Sequence, residues 1–362
     1  MHRFSLIAIT AVAILLGTGL ISSATAQEAP DNQAPQGKHG SDDVLYGNNK
    51  IAAKLVHKDW DAKDPRPTCK VFHHVFAPDG TLLTKGLGGK FGHHRGLFLG
   101  WNQTKKKDKT YDFWHLNKGE SQRFRGLSLT HAIGIDEAGQ VSLIDWCDPQ
   151  GKIVIRELRG LHVVDYSDDH YTLLMRSKCS TLIDDIILTG DPQHAGQQFR
   201  ALQRFAEEDQ NRVTYLRPEG AKDHGNDVWT QCNWIAAILK LDDASYTVLR
   251  VEAADNPGET KWSTRDYGRF GATRTVTVKK AHPLVLNQYY VVANGAHDAA
   301  WCQQHAAKLR QPTAESSAKD SSAKESSAKD SSAKGLSTKN TSTKSVTKKA
   351  AKGGHAKQAN KN

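Results

Sequence analysis

The 362-residue sequence has only five cysteines and two methionines. Cys69, Cys147, Cys179, Cys232 and Cys302 are widely spaced and form no CxxC pair. A zinc ribbon and a dithiol redox motif are therefore without support. The odd number leaves at least one thiol free, and the spacing assigns no disulfide. No HExxH, GxSxG, GxxxxGK[ST] or GxGxxG motif occurs, so the common metalloprotease, serine-hydrolase, P-loop and dinucleotide-binding templates are without support. Beyond Ile21 no apolar run approaches the ~20 residues that span a bilayer. The apolar run Phe4–Ile21 itself follows Arg3 and precedes the small-x-small triplet Ala24-Thr25-Ala26. This pattern predicts a signal peptide over residues 1–26 and an exported, periplasmic or extracellular mature chain with no transmembrane segment.

The basic balance is also absent from the body of the chain. Eleven lysines against Glu315, Asp320, Glu325 and Asp330 place +7 of the total +10 in residues 311–362. A nucleic-acid-binding core would carry its basic patch within the fold, so no nucleic-acid partner is expected. The tail repeats SSAKD, SSAKE, SSAKD and SSAKG from Ser316 and then decays. It has almost nothing apolar to bury, and is expected to be disordered. Its charge suits either a solvated spacer or weak attachment to anionic cell wall or polysaccharide. Residues 27–43, with Pro30, Pro35, Gly37 and Gly40, read as a flexible lead-in.

Residues 44–310 carry the patterning of one folded domain. Short apolar or alternating runs recur at intervals of about 8 to 15 residues, from Lys50–His57 through Leu97–Trp101 and Ile153–Val164 to Leu284–Ala293, separated by turn clusters such as Pro78-Asp79-Gly80. Ala299–Leu309 has helical periodicity. The fold class expected is all-β: an antiparallel β-sandwich of two large sheets, with one C-terminal helix.

Four segments are richer in polar and aromatic groups than packing requires. Gly86–Gly100 reads GLGGKFGHHRGLFLG; glycine permits close approach and unusual φ around His93, His94 and Arg95. Tyr111–His115 reads YDFWH, and a strand period places Asp112 and Trp114 on one face, a carboxylate beside an indole that suits a sugar ring. The competing reading is a core aromatic strand with Asp112 capping a turn. Asp191–Gly196 reads DPQHAG and contains His194. Arg265–Gly268 reads RDYG, whose Arg265 and Asp266 are read either as a surface ion pair or as site residues. His73-His74 reads as an ordinary strand pair in preference to metal ligands.

In this order the four segments resemble the bacterial family labelled methane oxygenase PmoA, whose members are often exported and common in polysaccharide-degrading bacteria. The resemblance covers residues 44–294 and rests on His93, His94, Arg95 and Gly96; on Asp112, Phe113 and Trp114; on His194 and Gly196; and on Arg265, Asp266, Tyr267 and Gly268. It implies a β-sandwich and one shared site. The reading drawn from residues and resemblance together is a secreted carbohydrate-active enzyme on a small-molecule or glycan substrate. His94, His194 and Tyr267 are the candidate proton-transfer groups, and His93, Arg95, Asp112, Trp114, Arg265 and Asp266 the candidate substrate-binding groups. A non-catalytic carbohydrate- or envelope-binding protein is the first alternative. A metal-dependent oxygenase, as the family label says, is the second, with copper or iron on His93, His94 and either His115 or His194. No cofactor motif is readable.

Overall fold

The computed structural model describes residues 44–47, 50–131, 138–182, 184–207 and 212–311. The expected signal peptide, lead-in and repeat tail fall outside the described residues, Gln311 apart. Nearly all the described chain is strand and turn, and every strand pairing is antiparallel.

A nine-stranded sheet runs Val44–Gly47, Lys50–Val56, Phe72–Val75, Leu97–Trp101, Ala195–Arg200, Arg269–Thr273, Lys261–Arg265, Val228–Thr230 and Lys222–Asp223. An eight-stranded sheet runs Val213–Leu216, Trp234–Leu241, Ala244–Glu252, Leu284–Asn294, His170–Ser180, Ile153–Tyr166, Ala138–Cys147 and Ser121–His131. Their inward residues form one core: Leu97, Leu99, Phe199 and Phe270 from the first meet Leu173, Met175, Val248 and Tyr290 from the second. The Phe199 and Tyr290 rings face across at 6.3 Å. Each such fully buried side chain contributes roughly 1.5–3 kcal/mol, so this layer fixes the sandwich.

A third sheet is present that the apolar pattern does not announce. Val276–Val278, Ile186–Thr189, Gln103–Lys106 and Lys109–Tyr111 form it. The hairpin in it is lysine-rich and largely exposed, so it lacks the apolar alternation that marks half-buried strands. The helix Ala299–Leu309 starts where the Asp298 carboxylate accepts a hydrogen bond from Trp301 N at 2.8 Å. It buries Cys302 and Ala306 against Trp234, Leu249, Val251 and Val291 on the outer face of the eight-stranded sheet. All five cysteines are free, Cys232 half-buried and the others buried. His73 and His74 lie on the strand Phe72–Val75, as expected, with His74 hydrogen-bonded to Thr84.

The strand Leu97–Trp101 separates two environments. Leu97, Leu99 and Trp101 face the shared core. Phe98 faces the other way and packs with Phe72 and Trp114 in a separate cluster, so that cluster lies on the outer face of the nine-stranded sheet. On the neighbouring strand, Gly196 has φ +84°, and a Cβ there would lie 2.0 Å from the Ala272 carbonyl oxygen. Gly196→Ala is therefore expected to destabilise the domain by about 3 kcal/mol or more. Urea unfolding of this variant with an unchanged midpoint would contradict the register described.

Candidate functional site

The outer face around Phe98 gathers three of the four segments, and the fourth joins them through the sheet register. His93-His94-Arg95 lies in the irregular stretch just before Leu97–Trp101, so the two imidazoles are free of strand alternation and their ring centroids lie 4.1 Å apart. Asp112–His115 follows the lysine-rich hairpin and is tied back where Phe113 N donates to Trp101 O at 2.9 Å. The DPQH turn leads into Ala195–Arg200, which pairs with Leu97–Trp101, and Asn102 N donates to His194 O at 3.0 Å. The RDYG segment is the turn between Lys261–Arg265 and Arg269–Thr273, with Arg269 opposite Arg200. Tyr267 from this turn stacks on Phe91 at 4.7 Å and lies 6.2 Å from His94.

The histidines form a continuous set. His93 lies 4.7 Å from His115, and His115 lies 4.9 Å from His194, ring centre to ring centre. Trp114 touches both His94 and His194, at 5.6 and 6.1 Å. Two of these imidazoles are held by carboxylates in the same way. His115 Nδ1 bonds Asp112 Oδ2 at 2.8 Å, and His194 Nδ1 bonds Asp191 Oδ1 at 2.9 Å. An ionised carboxylate only accepts, so Nδ1 carries the proton in both rings. In the neutral form, the Nε2 lone pair is then left for a ligand. Each Asp is itself fixed by backbone: Asp112 Oδ1 accepts from Trp114 N and His115 N, and Asp191 Oδ1 accepts from Gln193 N. Burial pushes the Asp112 carboxyl up, but the bonds from His115 and Trp114 more than reverse this and hold it below the ordinary carboxylate value. The same balance, with His194 and Asn102 as donors, lowers Asp191. Both dyads stay half-open to solvent, with the His115 and His194 side chains 25% and 37% exposed.

His93 and His94 have no such partner. Both nitrogens of His94 and Nε2 of His93 are buried without a hydrogen bond. Burial pushes His93 down to about 2, helped by the charge of Lys70. Burial takes His94 well below its ordinary value, with Arg269 and Lys70 adding to the effect. Both rings are therefore neutral near pH 7. The Lys70 ammonium is itself buried, donating to His93 O at 2.8 Å and to Trp114 O at 2.6 Å. Burial and the nearby Arg95 lower it to about 7.

The sequence-expected residues separate into two groups. His93, His94, Asp112, Trp114, His194 and Tyr267 come together. Trp114 is wholly buried, however, so its indole supports the imidazoles and does not face solvent where a sugar ring would stack. Asp112 and Trp114 occupy a turn, not a strand face; here the capping reading of Asp112 describes the geometry. Arg95 is buried, and its guanidinium bonds Gly92 O and Arg66 O. Arg265 points to Asn226 O at 3.1 Å and Asp227 Oδ2 at 3.2 Å. Asp266 is exposed at the turn.

Residues that the motifs do not reveal complete the setting. Arg269 Nη2 donates to Gln193 Oε1 at 2.7 Å and to Ser263 Oγ at 2.9 Å. Gln193 Nε2 in turn donates to Asn226 O, so this network clamps the DPQH turn to the RDYG hairpin. Arg269 stands one residue past the motif, and Gln193 within another, so both are readable only as neighbours. Lys70 carries no sequence signal at all. Among the described residues, no group of three or more His, Cys, Asp or Glu side chains is arranged to hold a metal ion. No described helix is long and apolar enough to cross a membrane.

Residues 43–307 match the sequence profile of a family described as a family of unknown function, DUF6807. No curated protein matches the chain. Among solved structures, a variant of the GH36 alpha-galactosidase AgaA from Geobacillus stearothermophilus, in complex with raffinose, aligns with 10% identity and a TM-score of 0.31. The alignment covers 60% of this chain and 32% of that one, so the chain spans about a third of that enzyme's length.

Proposed function

We propose that this chain, which belongs to the family of unknown function DUF6807, is an exported carbohydrate-active enzyme that works by acid–base chemistry on a sugar or sugar derivative. One observation carries the reading. Two Asp–His dyads stand side by side, ring centres 4.9 Å apart, each with Nδ1 anchored and Nε2 left for a ligand. A base oriented by a carboxylate, beside a second imidazole that can carry the opposite protonation state, is the arrangement needed to remove one proton and deliver another.

Exposure and anchoring set the roles. His115 and His194 are the proton-transfer pair because they reach solvent while their partners hold them. His93 and His94, neutral and buried, form the wall of the site beside them. Tyr267, stacked on Phe91, closes the side next to His94. Asp112 and Asp191 orient the imidazoles and do not meet the substrate through the oxygens already used.

The test is a panel of plant and algal oligosaccharides and their oxidised derivatives, incubated with purified protein and analysed by chromatography. Conversion of at least one glycan is expected. Saturable binding of a glycan with no conversion would return the protein to the class of binding modules. Purification with stoichiometric copper or iron, and no glycan bound, would favour the oxygenase reading instead.

A further inference from the structure

We infer that the substrate of this site is a carboxylated sugar, and that Arg66 is the residue that receives its carboxylate. The inference rests on the carbohydrate reading above and narrows it.

The charge behind the histidines is mostly positive, offset at the site itself only by the dyad carboxylates Asp112 and Asp191. Lys70, Lys85, Arg95, Arg200 and Arg269 are all buried. Their donors go to backbone carbonyls, to the Cys69 thiol or to the neutral side chains Gln193, Gln198 and Ser263. None of the five forms an ion pair with a carboxylate among the described residues. Elsewhere in the same molecule buried arginines do have carboxylate partners: Arg159 pairs with Glu157, and Arg250 and Arg274 pair with Glu252. A buried cation without a counter-ion is costly. The three arginines keep their charge, while burial leaves Lys85 and above all Lys70 easier to neutralise; together they still outweigh the two dyad carboxylates, and the positive potential that results selects an anionic ligand. Two nitrogens of Arg200, both nitrogens of His94 and Nε2 of His93 remain buried without partners, so the donors and acceptors of this wall are not used up by the protein itself.

Arg66 is the exposed member of the set. It belongs to the short turn Pro65–Thr68, four residues before the Lys70 whose ammonium bonds the His93 carbonyl, and its charge adds slightly to the burial that keeps His93 neutral. Its side chain is exposed and makes no hydrogen bond or ion pair among the described residues. Its backbone, by contrast, is fixed. Arg95 of the HHRG segment donates to the Arg66 carbonyl and approaches Cys69 Sγ at 3.9 Å, and the Thr68 hydroxyl bonds Asp64 O at 3.1 Å. Arg95 is thus a positioning residue: it holds the turn that carries Arg66 against the HHRG segment. A free guanidinium fork on an anchored backbone matches the two oxygens of a carboxylate, which accept in parallel. A sulfate ester is the other anion a sugar could bring. The carboxylate is favoured because its planar pair of oxygens fits a single fork.

Isothermal titration calorimetry with the full-length mature protein tests this directly. The probes are oligogalacturonate and oligoglucuronate, their neutral counterparts of the same linkage, and a sulfated oligosaccharide. At least one uronate should bind more than about 10-fold tighter than its neutral counterpart, and the preference should shrink as salt rises. Arg66→Gln, at an exposed position, should fold normally by circular dichroism and lose about 10- to 150-fold in uronate affinity; Arg66→Lys should recover only part of it. Equal binding of acid and neutral sugars, tighter binding of the sulfated probe, unchanged uronate affinity in Arg66→Gln, or no binding of any probe would each overturn the inference. Conversion assayed on the same samples separates the two claims. Uronate bound through Arg66 but never converted removes the acid–base reading alone, whereas conversion of neutral sugars with no uronate preference removes this inference alone.

Discussion

Asp191→Asn is expected to fold as the wild type does and to lose about 10²- to 10⁴-fold in turnover, with substrate affinity little changed. The carboxylate can only accept from Nδ1, so it fixes the tautomer of His194 with Nε2 unprotonated. An amide can donate instead, and then Nε2 carries the proton and the base is lost. The fold should survive because the Asp191 side chain is 46% exposed and an amide oxygen in the Oδ1 position can keep the contact from Gln193 N, so that only the exposed contact from Asn102 Nδ2 to the other oxygen is lost. Asp112→Asn should act likewise through His115. The double variant should be no slower than the worse single one if the two imidazoles serve one proton-transfer cycle. A loss expressed only in KM would show that the dyads bind substrate and do not move protons.

The second large effect is on stability. Between pH 7 and about pH 5 the domain should lose several kcal/mol, up to about 6, a sizeable share of the 5–15 kcal/mol that folded domains have. Three imidazoles carry this. His73 is kept neutral by burial and by Arg159, His93 by burial and by Lys70, and His94 by burial and by its neighbouring cations. Their folded pKa values lie far below the ordinary value of about 6.5, to which they return on unfolding. Below pH 6.5 the unfolded chain takes up protons that the folded chain does not, so the unfolded state gains about 2 kcal/mol per imidazole by pH 5. This contribution to stability is complete above pH 6.5 and is lost as pH falls towards the folded values. Urea denaturation at the two pH values measures it. His94→Gln should reduce the difference by about 2 kcal/mol, whatever it does to stability at pH 7. A stability that stays flat from pH 7 to pH 5 would mean the imidazoles charge in place and are not held neutral.

How much of the molecule is readable in its residues depends on the kind of signal. Leu97–Trp101, Leu284–Asn294 and the helix Ala299–Leu309 stand where apolar periodicity puts them, because each buries a face and the face leaves a pattern. Gln103–Lys106 and Lys109–Tyr111 are invisible, because strands that face solvent need no such pattern. Lys261–Arg265 and Arg269–Thr273 escape notice for the opposite reason. Their central residues are buried on both faces, with Arg269 inside, and they resemble neither an alternating strand nor an apolar run. At the site, the glycine-rich HHRG stretch and His194 are recognisable as chemistry without a structural need. The dyads are not, since Asp112–His115 and Asp191–His194 are i, i+3 pairs made by turns, and a strand reading sends those side chains elsewhere. The role of Arg95 cannot be read from the residues at all. Only the register that lays Gly96 beside His73, with a Cβ there only 2.1 Å from the His73 carbonyl oxygen, brings its guanidinium to the Pro65–Thr68 turn. Lys70 reaches the His93 carbonyl through the same register.

The central claim is that His115 and His194 together carry out proton transfer on a bound sugar. Its most direct measurement is product formation by wild type and by the His115→Gln/His194→Gln double variant, on the glycan that wild type binds best, with binding followed in parallel. Conversion by wild type is predicted, together with a variant that still binds that glycan but forms product at least about 10²-fold more slowly. Equal rates in the two proteins, or a glycan bound by both and converted by neither, would contradict it.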